Sequence, residues 1–264
     1  MIEIDTSLIQ SMAESGKRID SRQFSQYRNI TIETNAVTSA EGSSRVRIGN
    51  TEVLAGIKME PGTPFSDTPD AGVLMVGAEL VPLASPEFEP GPPGEEAVEI
   101  SRVVDRAIRE SKCVDFKKLC IKEGEKVWMV FVDIDVLNDD GNLFDACGIA
   151  AISALLNSTV PELDSEGKII SGKKGSEKIP IKGIPLSTTI VKINGKLMVD
   201  PNSAETRAMD ARLTVGTADK DGKTVLCSMQ KGGESGITEE DVDAALELAI
   251  EKSNEVRELI KENV

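Results

Sequence analysis

Three arginines recur along one stretch of the chain at spacings that suit the binding of phosphate. Arg102, Arg106 and Arg109 lie four and then three residues apart, so a helix would place all of them on one face. A planar guanidinium can bind two phosphate oxygens at once, and a row of them could follow a nucleic-acid backbone. The same row could instead form a solvated helix face on which Glu99 and Asp105 supply salt bridges. The sequence leaves both interpretations open.

Three acidic residues follow a predicted β-hairpin in the second half of the chain, namely Asp200, Glu205 and Asp210. Carboxylates can ligate a divalent cation, and they can also act as general acid and base. The alternative is a solvated loop whose charges only face water. We therefore treat Asp200 and Asp210 as a candidate acidic site without deciding its role.

The composition removes most other kinds of active centre. The 264 residues include no histidine, which excludes Ser-His-Asp and Cys-His nucleophiles and every histidine-based metal site within the chain. The cysteines form no Cys-x-x-Cys pair, so we expect no metal site and reduced thiols in a cytoplasmic protein; they are Cys113, Cys120, Cys147 and Cys227. No apolar run approaches the ~18 residues that span a bilayer, and the N-terminal segment lacks the pattern of a secretory signal.

The formal net charge of −15 argues against autonomous binding of nucleic acid. Neutralisation of phosphates supplies most of the affinity in such complexes, and an acidic chain repels them. A nucleic-acid role would need a local basic face, such as Arg102 with Arg106, or a basic partner subunit. The loop from Lys168 to Lys182 is another basic segment, and the sequence does not show whether it contacts nucleic acid or solvent.

Apolar periodicity predicts one short helix and three longer helices. The short helix begins near Thr6, and the longer ones are expected near Glu95–Lys112, near Phe144–Leu156 and from Thr238 onward. The second of the longer helices is apolar on nearly all sides, so it should be buried between layers. The core face of the first is predicted to comprise Val98, Ile100, Val103, Val104, Ala107 and Ile108.

Alternating strands and turn signals predict several hairpins, of which the one at Asn194-Gly195 carries the strongest signal. Strands followed by helices occur twice along the chain. This order predicts an α+β fold with antiparallel sheets covered by helices and two similar halves. We place an N-terminal arm at 1–27, the first half at 28–165 and the second half at 166–264.

Five segments together resemble the RNase PH family of phosphorolytic exoribonucleases. The resemblance extends from about Arg18 to Leu259 and is closest to the non-catalytic ring subunit of the archaeal exosome. It implies an RNase PH-like fold, of the ribosomal protein S5 domain 2-like type, and no cofactor. The segments are GKRIDSRQFSQYRNI, GNTEVLAGIK, EEAVEISRVVDRAIRES, DIDVLNDDGNLFDACGIAAISALL and VDPNSAETRAMDARLTVG.

The chain departs from the catalytic members of that family at the places where they bind phosphate and carry acids. Catalytic members have arginines where this chain has residues 95–97, which are Glu, Glu and Ala. Phe144 stands where the resemblance implies a phosphate-binding arginine, and Thr206 where it implies the first of two acids. Asp210 matches the second. The resemblance therefore implies no catalytic residue here and leaves Asp200 and Asp210 as a vestigial acidic site.

The resemblance also implies a role within an assembly. Such subunits pair with a catalytic RNase PH-type subunit, and three heterodimers form a hexameric ring that carries RNA-binding cap subunits. Single-stranded RNA threads through the ring, and Arg102 and Arg106 would contact it beside the partner's active site. Two alternatives stay open: a self-sufficient phosphorolytic exoribonuclease using Asp200 or Asp210 with Mg²⁺, and an assembly scaffold without RNA contact.

Overall fold

The computed structural model describes residues 6–170, 175–220 and 222–264. Within these ranges the helices are α1 (Thr6–Glu14), α2 (Glu95–Ser111), α3 (Leu143–Asn157), α4 (Ser203–Ala208) and α5 (Glu239–Asn263). The strands are β1 (Ile30–Thr34), β2 (Gly42–Ile48), β3 (Thr51–Gly62), β4 (Val73–Leu80), β5 (Cys120–Lys122), β6 (Lys126–Asn138), β7 (Thr159–Val160), β8 (Glu177–Lys178), β9 (Leu186–Ile193), β10 (Lys196–Val199), β11 (Ala211–Lys220) and β12 (Lys223–Gly232).

The first sheet has the strand order β1-β2-β3-β6-β4, with the short β5 also paired to β6. Strict alternation of apolar residues gives it one buried face, because successive side chains of a strand point to opposite sides. In β3 the inward residues Val53, Ala55, Ile57 and Met59 are fully buried. A tight turn at Gly49 and Asn50 joins β2 to β3.

The second sheet has the strand order β10-β9-β11-β12. Its first hairpin turns at Asn194 and Gly195, whose φ angles of 47° and 75° are those that a tight two-residue turn requires. One face packs on α5 through Ile190, Leu213 and Val215. The opposite face carries the contacts with α1, α3 and α4. Helices therefore cover both faces of this sheet.

Helix α3 confirms the expectation of a helix buried between layers. It contacts β2 and β3 of the first sheet and β9 of the second. Leu143, Ile149, Ile152 and Leu155 are at most 5% exposed although they point in different directions from the axis. A helix can be apolar on all sides only where protein surrounds it. Because α3 packs against both sheets, the two halves share one helical layer. The boundary between the halves at residues 165 and 166 stays a prediction.

The fold class is confirmed, with two differences in detail. Strand β4 runs parallel to β6, whereas the remaining strand pairs are antiparallel. The crossover through α2 explains this, because a helix returns the chain to the end of the sheet where the previous strand began. The prediction that Val98 faces the core is wrong: its side chain is 48% exposed, and Ala97 takes the buried position at 2%.

The long C-terminal helix begins as predicted. The Thr238 side chain accepts a hydrogen bond from the Asp241 amide, and the Asp241 side chain accepts one from the Thr238 amide. This reciprocal cap satisfies two backbone donors that would otherwise lack partners. The prediction of a basic loop falls partly on residues 171–174, which lie outside the described residues.

Candidate nucleic-acid interface

Helix α2 presents its three arginines in three different states. Arg102 is exposed, and no acidic side chain of the described residues pairs with it. Arg109 binds Asp105 through two nitrogens at 2.6 and 3.1 Å and also donates to the Leu74 carbonyl. The hydrogen bond that Arg109 donates to the Asp105 carboxylate raises the pKa of Arg109. Arg109 is thus committed to internal contacts, while Arg102 keeps its charge available to a ligand.

Arg106 lies between these two states. Its Nη2 donates to the Met229 carbonyl and to Oε1 of Gln230, each at 3.1 Å. Both acceptors belong to β12 and neither is charged, so the positive charge of Arg106 is not neutralised by these contacts. Two like charges on adjacent turns of one helix repel each other by a few tenths of a kcal/mol. A guanidinium held by neutral acceptors next to a free one suits an anionic ligand.

A cleft lies at the start of α3, where the family resemblance places the phosphate site. Phe144 is 6% exposed there, and the Arg212 guanidinium stacks over its ring at 4.0 Å from the centroid. Arg212 also forms a 2.5 Å ion pair with Glu99 of α2. The sequence interpretation overlooked Arg212, although it follows Asp210 by only two residues. Thr206 also lines the cleft, and its hydroxyl donates a hydrogen bond to the Asn202 carbonyl.

The electrostatics of this cleft oppose the binding of a phosphate dianion. Desolvation raises the pKa of Glu96, and the nearby charges of Asp139 and Glu87 raise it further. Desolvation likewise raises the pKa of Asp139, with Asp140 adding to the shift. Desolvation is the larger cause of both shifts, and the neighbouring carboxylates add to it although Arg212 lowers the pKa of Glu96 and Arg207 lowers that of Asp139. The single cation stacked on Phe144 is already paired with Glu99.

The structure places Asp200 at the centre of a buried ion network. Its carboxylate is fully buried and accepts hydrogen bonds from Arg28, Arg22 and Asn142 at 2.8–2.9 Å. Burial by itself raises the pKa of Asp200, but the hydrogen bond and charge of Arg28 outweigh it and hold that pKa below its usual value. Asp200 is therefore an ionised structural anchor whose lone pairs are in use.

Glu205 is neutralised in the same way by the N-terminal arm. Arg18 donates to its two carboxylate oxygens at 2.8 and 2.5 Å, and both side chains are almost completely buried. The sequence interpretation missed these roles of Arg18, Arg22 and Arg28. The signal available in the sequence was the presence of two arginines in the N-terminal arm and a third, Arg28, directly after it.

Asp210 lies apart from this network. Its Oδ2 accepts a hydrogen bond from the Asn194 amide at 2.7 Å, and its own amide bonds to the Lys192 carbonyl. The Asp200 amide donates instead to the Thr189 carbonyl. Thr189 and Lys192 are three residues apart along β9, which corresponds to about 10 Å. The structure thus does not bring the three acids together. Within the described residues, no cluster of three or more acidic, cysteine or histidine side chains could hold a metal ion.

Asp145 gives the network a measurable pH dependence. Burial raises its pKa to about 6, although hydrogen bonds from Tyr27, Asn142 and Thr189 oppose the shift. A carboxyl whose folded pKa is raised stabilises the fold below its unfolded pKa and loses that contribution as the pH rises through the folded pKa.

We expect the wild-type chain to lose about 1 kcal/mol of unfolding free energy between pH 5 and pH 8, relative to the Asp145→Asn variant. Urea unfolding of both proteins at the two pH values measures this difference. A difference that stays constant with pH would show that the Asp145 carboxyl titrates normally.

Comparison with known proteins matches both halves of the chain to one family. The profile of the 3′ exoribonuclease family, domain 1, matches residues 26–161, and that of domain 2 of the same family matches residues 183–252. This chain belongs to the RNase PH family of 3′ exoribonucleases. The RNase PH-like α+β fold implied by the sequence is therefore confirmed.

Relatives cover nearly the whole chain. The exosome complex component Rrp42 of Methanothermobacter thermautotrophicus is 42% identical over 99% of this chain and 96% of its own length. Its counterpart in Methanosarcina acetivorans is 47% identical over 97% and 93%. A subunit in the structure of the Archaeoglobus fulgidus exosome with RNA bound to the active site superposes with a TM-score of 0.88, at 45% identity and 96% coverage of both chains. An archaeal exosome core gives a TM-score of 0.85 at 40% identity, with coverage of 97% of this chain and 96% of that one.

Among the described residues, no helix has the length and apolar character needed to cross a membrane. Two features of the fold described above bear on a role within this family. One is the cleft at the start of α3, where the resemblance implies a phosphate site, and the other is the arginine-bearing face of α2.

Proposed function

We propose that this chain is a non-catalytic ring subunit of an archaeal-type exosome, which structures the active site of a catalytic partner and contacts RNA. The observation that carries this proposal is that Phe144 stands at the α3 cleft in place of the phosphate-binding arginine implied by the resemblance. Phe144, stacked under Arg212, stands where the family binds phosphate, and carboxylates line the opening. The proteins similar to it over nearly their full length are named as exosome components, and one solved relative is part of a complex with RNA at its active site.

Phosphorolysis makes demands that this cleft does not meet. A phosphate dianion must be held in line with the scissile bond, and cations must stabilise the charge on the transferred oxygens. Two arginines line the cleft. Glu99 already neutralises Arg212, and Arg207 lies 4.0 Å from the Glu87 carboxylate. The Asp200 carboxylate is already bound by Arg22 and Arg28. The proposal keeps Asp200 and Asp210 as a vestigial acidic site, in which neither residue acts as a catalytic acid.

The partner in this proposal is a catalytic RNase PH-type subunit. The two form a heterodimer, three heterodimers close a hexameric ring, and cap subunits that bind RNA sit on it. Two observations support contact with single-stranded RNA: the Arg102 guanidinium is exposed and has no acidic partner among the described residues, and that of Arg106 binds only neutral acceptors there. A few local cations from this chain together with those of the partner reconcile RNA contact with a net charge of −15. We place the assembly in the cytoplasm.

The test is phosphorolysis of a labelled single-stranded RNA in the presence of phosphate and Mg²⁺. We expect no activity from this chain alone and activity from a mixture with a catalytic RNase PH-type subunit above that of the partner alone. The release of nucleoside diphosphates measures the phosphorolytic activity in each case. Robust activity of the isolated chain that Asp210→Asn abolishes would favour the self-sufficient enzyme and contradict the proposal.

The scaffold alternative is distinguished by a second readout. Ultraviolet crosslinking of RNA in the assembled ring should label this chain within the peptide that contains Arg102 and Arg106. Crosslinks confined to the other subunits would favour a scaffold without RNA contact.

A further inference from the structure

A series of side-chain contacts connects Arg106 of α2 to the cleft at the start of α3. Arg106 Nη2 donates to Gln230 Oε1 at 3.1 Å. Gln230 Nε2 donates in turn to Glu99 Oε1, also at 3.1 Å. The same Glu99 oxygen accepts from Arg212 Nη2 at 2.5 Å. Arg212 ends the chain by stacking on the Phe144 ring.

The chemistry of the groups fixes each link in one orientation. A guanidinium only donates hydrogen bonds, and a carboxylate only accepts them. Only an amide can accept from Arg106 with one atom and donate to Glu99 with the other, so Gln230 can occupy a single orientation here. Linked hydrogen bonds of this kind also polarise one another, which strengthens each of them. Gln230 thereby links Arg106 to the Glu99–Arg212 pair through side-chain hydrogen bonds.

We propose that Gln230 is a positioning residue, which holds the Arg106 guanidinium in the conformation that contacts RNA and braces it against the Arg212–Phe144 stack. This inference rests on the proposed RNA contact of Arg106. It assigns a use to the remodelled cleft, because Arg212 and Phe144 support an arginine on α2 rather than bind phosphate.

The remaining contact of Arg106 explains why the effect of Gln230 should be partial. The Met229 carbonyl still accepts from Nη2 when the Gln230 side chain is changed, because it belongs to the main chain. The Nε of Arg106 is buried and has no hydrogen-bond partner among the described residues, so it supplies no further restraint. Loss of Gln230 would leave a guanidinium with one acceptor instead of two and with more rotamers available.

A double-mutant cycle in the reconstituted ring tests this role. The proteins are wild type, Arg106→Ala, Gln230→Met and the combination, each assembled with the catalytic partner. Fluorescence anisotropy with a labelled single-stranded RNA gives the dissociation constant. We expect Arg106→Ala to weaken binding about tenfold and Gln230→Met about threefold, with no further loss when Gln230→Met is added to Arg106→Ala. The matched control Thr224→Val removes a side-chain hydrogen bond of β12 to Asn254 and should leave affinity unchanged.

The outcomes separate this inference from the proposed function. If Arg106→Ala does not weaken binding by an intact ring, the RNA contact itself is wrong. If Arg106→Ala weakens binding but Gln230→Met does not, only the positioning role is overturned. A threefold loss from Gln230→Met that persists in the Arg106→Ala background would also overturn it, since that result indicates a general effect on the packing of β12.

Discussion

Replacement of Arg102 and Arg106 together by glutamate should weaken RNA binding by the assembled ring about a hundredfold or more. A hydrogen bond from a charged group contributes about 1.5–3 kcal/mol, so two phosphate contacts account for a factor of this size. The introduced carboxylates add repulsion. The ring should remain assembled and the chain folded, because Arg102 is exposed, Arg106 is half-buried with only two neutral acceptors, and the apolar face of α2 is not altered.

The measurement is RNA affinity of purified rings as a function of salt. A matched control reverses two other exposed cations, Lys122→Glu with Lys261→Glu, which changes the net charge by the same amount. Those lysines form surface pairs with little effect on stability. We expect the control to retain most of its affinity and the wild-type salt dependence. Equal losses in the two double variants would show that net charge matters rather than the α2 face, and unchanged affinity of an intact Arg102/Arg106 variant ring would overturn the RNA contact.

The Asp200→Asn variant should lose about 3–5 kcal/mol of unfolding free energy, which is the usual cost of removing one partner from a buried ion pair. The neutral amide leaves the guanidiniums of Arg28 and Arg22, whose side chains are each only 9% exposed, without their shared counter-ion. An amide also replaces acceptor atoms by an NH₂ group that would face these donors. Without the Asp200 carboxylate, the N-terminal arm should lose its connection to the start of α3, where Asn142 donates a hydrogen bond to Asp200.

Asp210→Asn is the control, because it makes the same chemical change in the other candidate acid. Asp210 accepts one hydrogen bond from a backbone amide near the surface, so we expect a loss of about 1 kcal/mol or less. Urea unfolding of the isolated chain measures both. Similar losses in the two variants, or a negligible loss at Asp200, would contradict the description of Asp200 as a structural anchor.

Local rules account for most of the secondary structure that the sequence predicts. The turn at Asn194 and Gly195, the cap at Thr238 and the all-round apolar character of α3 each depend on residues within a few positions of one another. The spacing of Arg102 and Arg106 needed only helical periodicity. The resemblance to the RNase PH family also came from contiguous segments, and the departures at residues 95–97 and at Phe144 could be located within them.

Contacts between distant parts of the chain decided the use of each charged residue. Arg28 and Asp200 are 172 positions apart, Arg18 and Glu205 are 187 apart, and Gln230 meets Glu99 across 131. Periodicity cannot choose among equally spaced arginines, because the choice depends on which acceptor the fold brings near. The sequence by itself thus determined the family, most of the elements and a candidate arginine face. Only the tertiary structure decided that Arg109 pairs with Asp105, that Asp200 anchors the arm, and that no acidic side chain of the described residues pairs with Arg102 or Arg106.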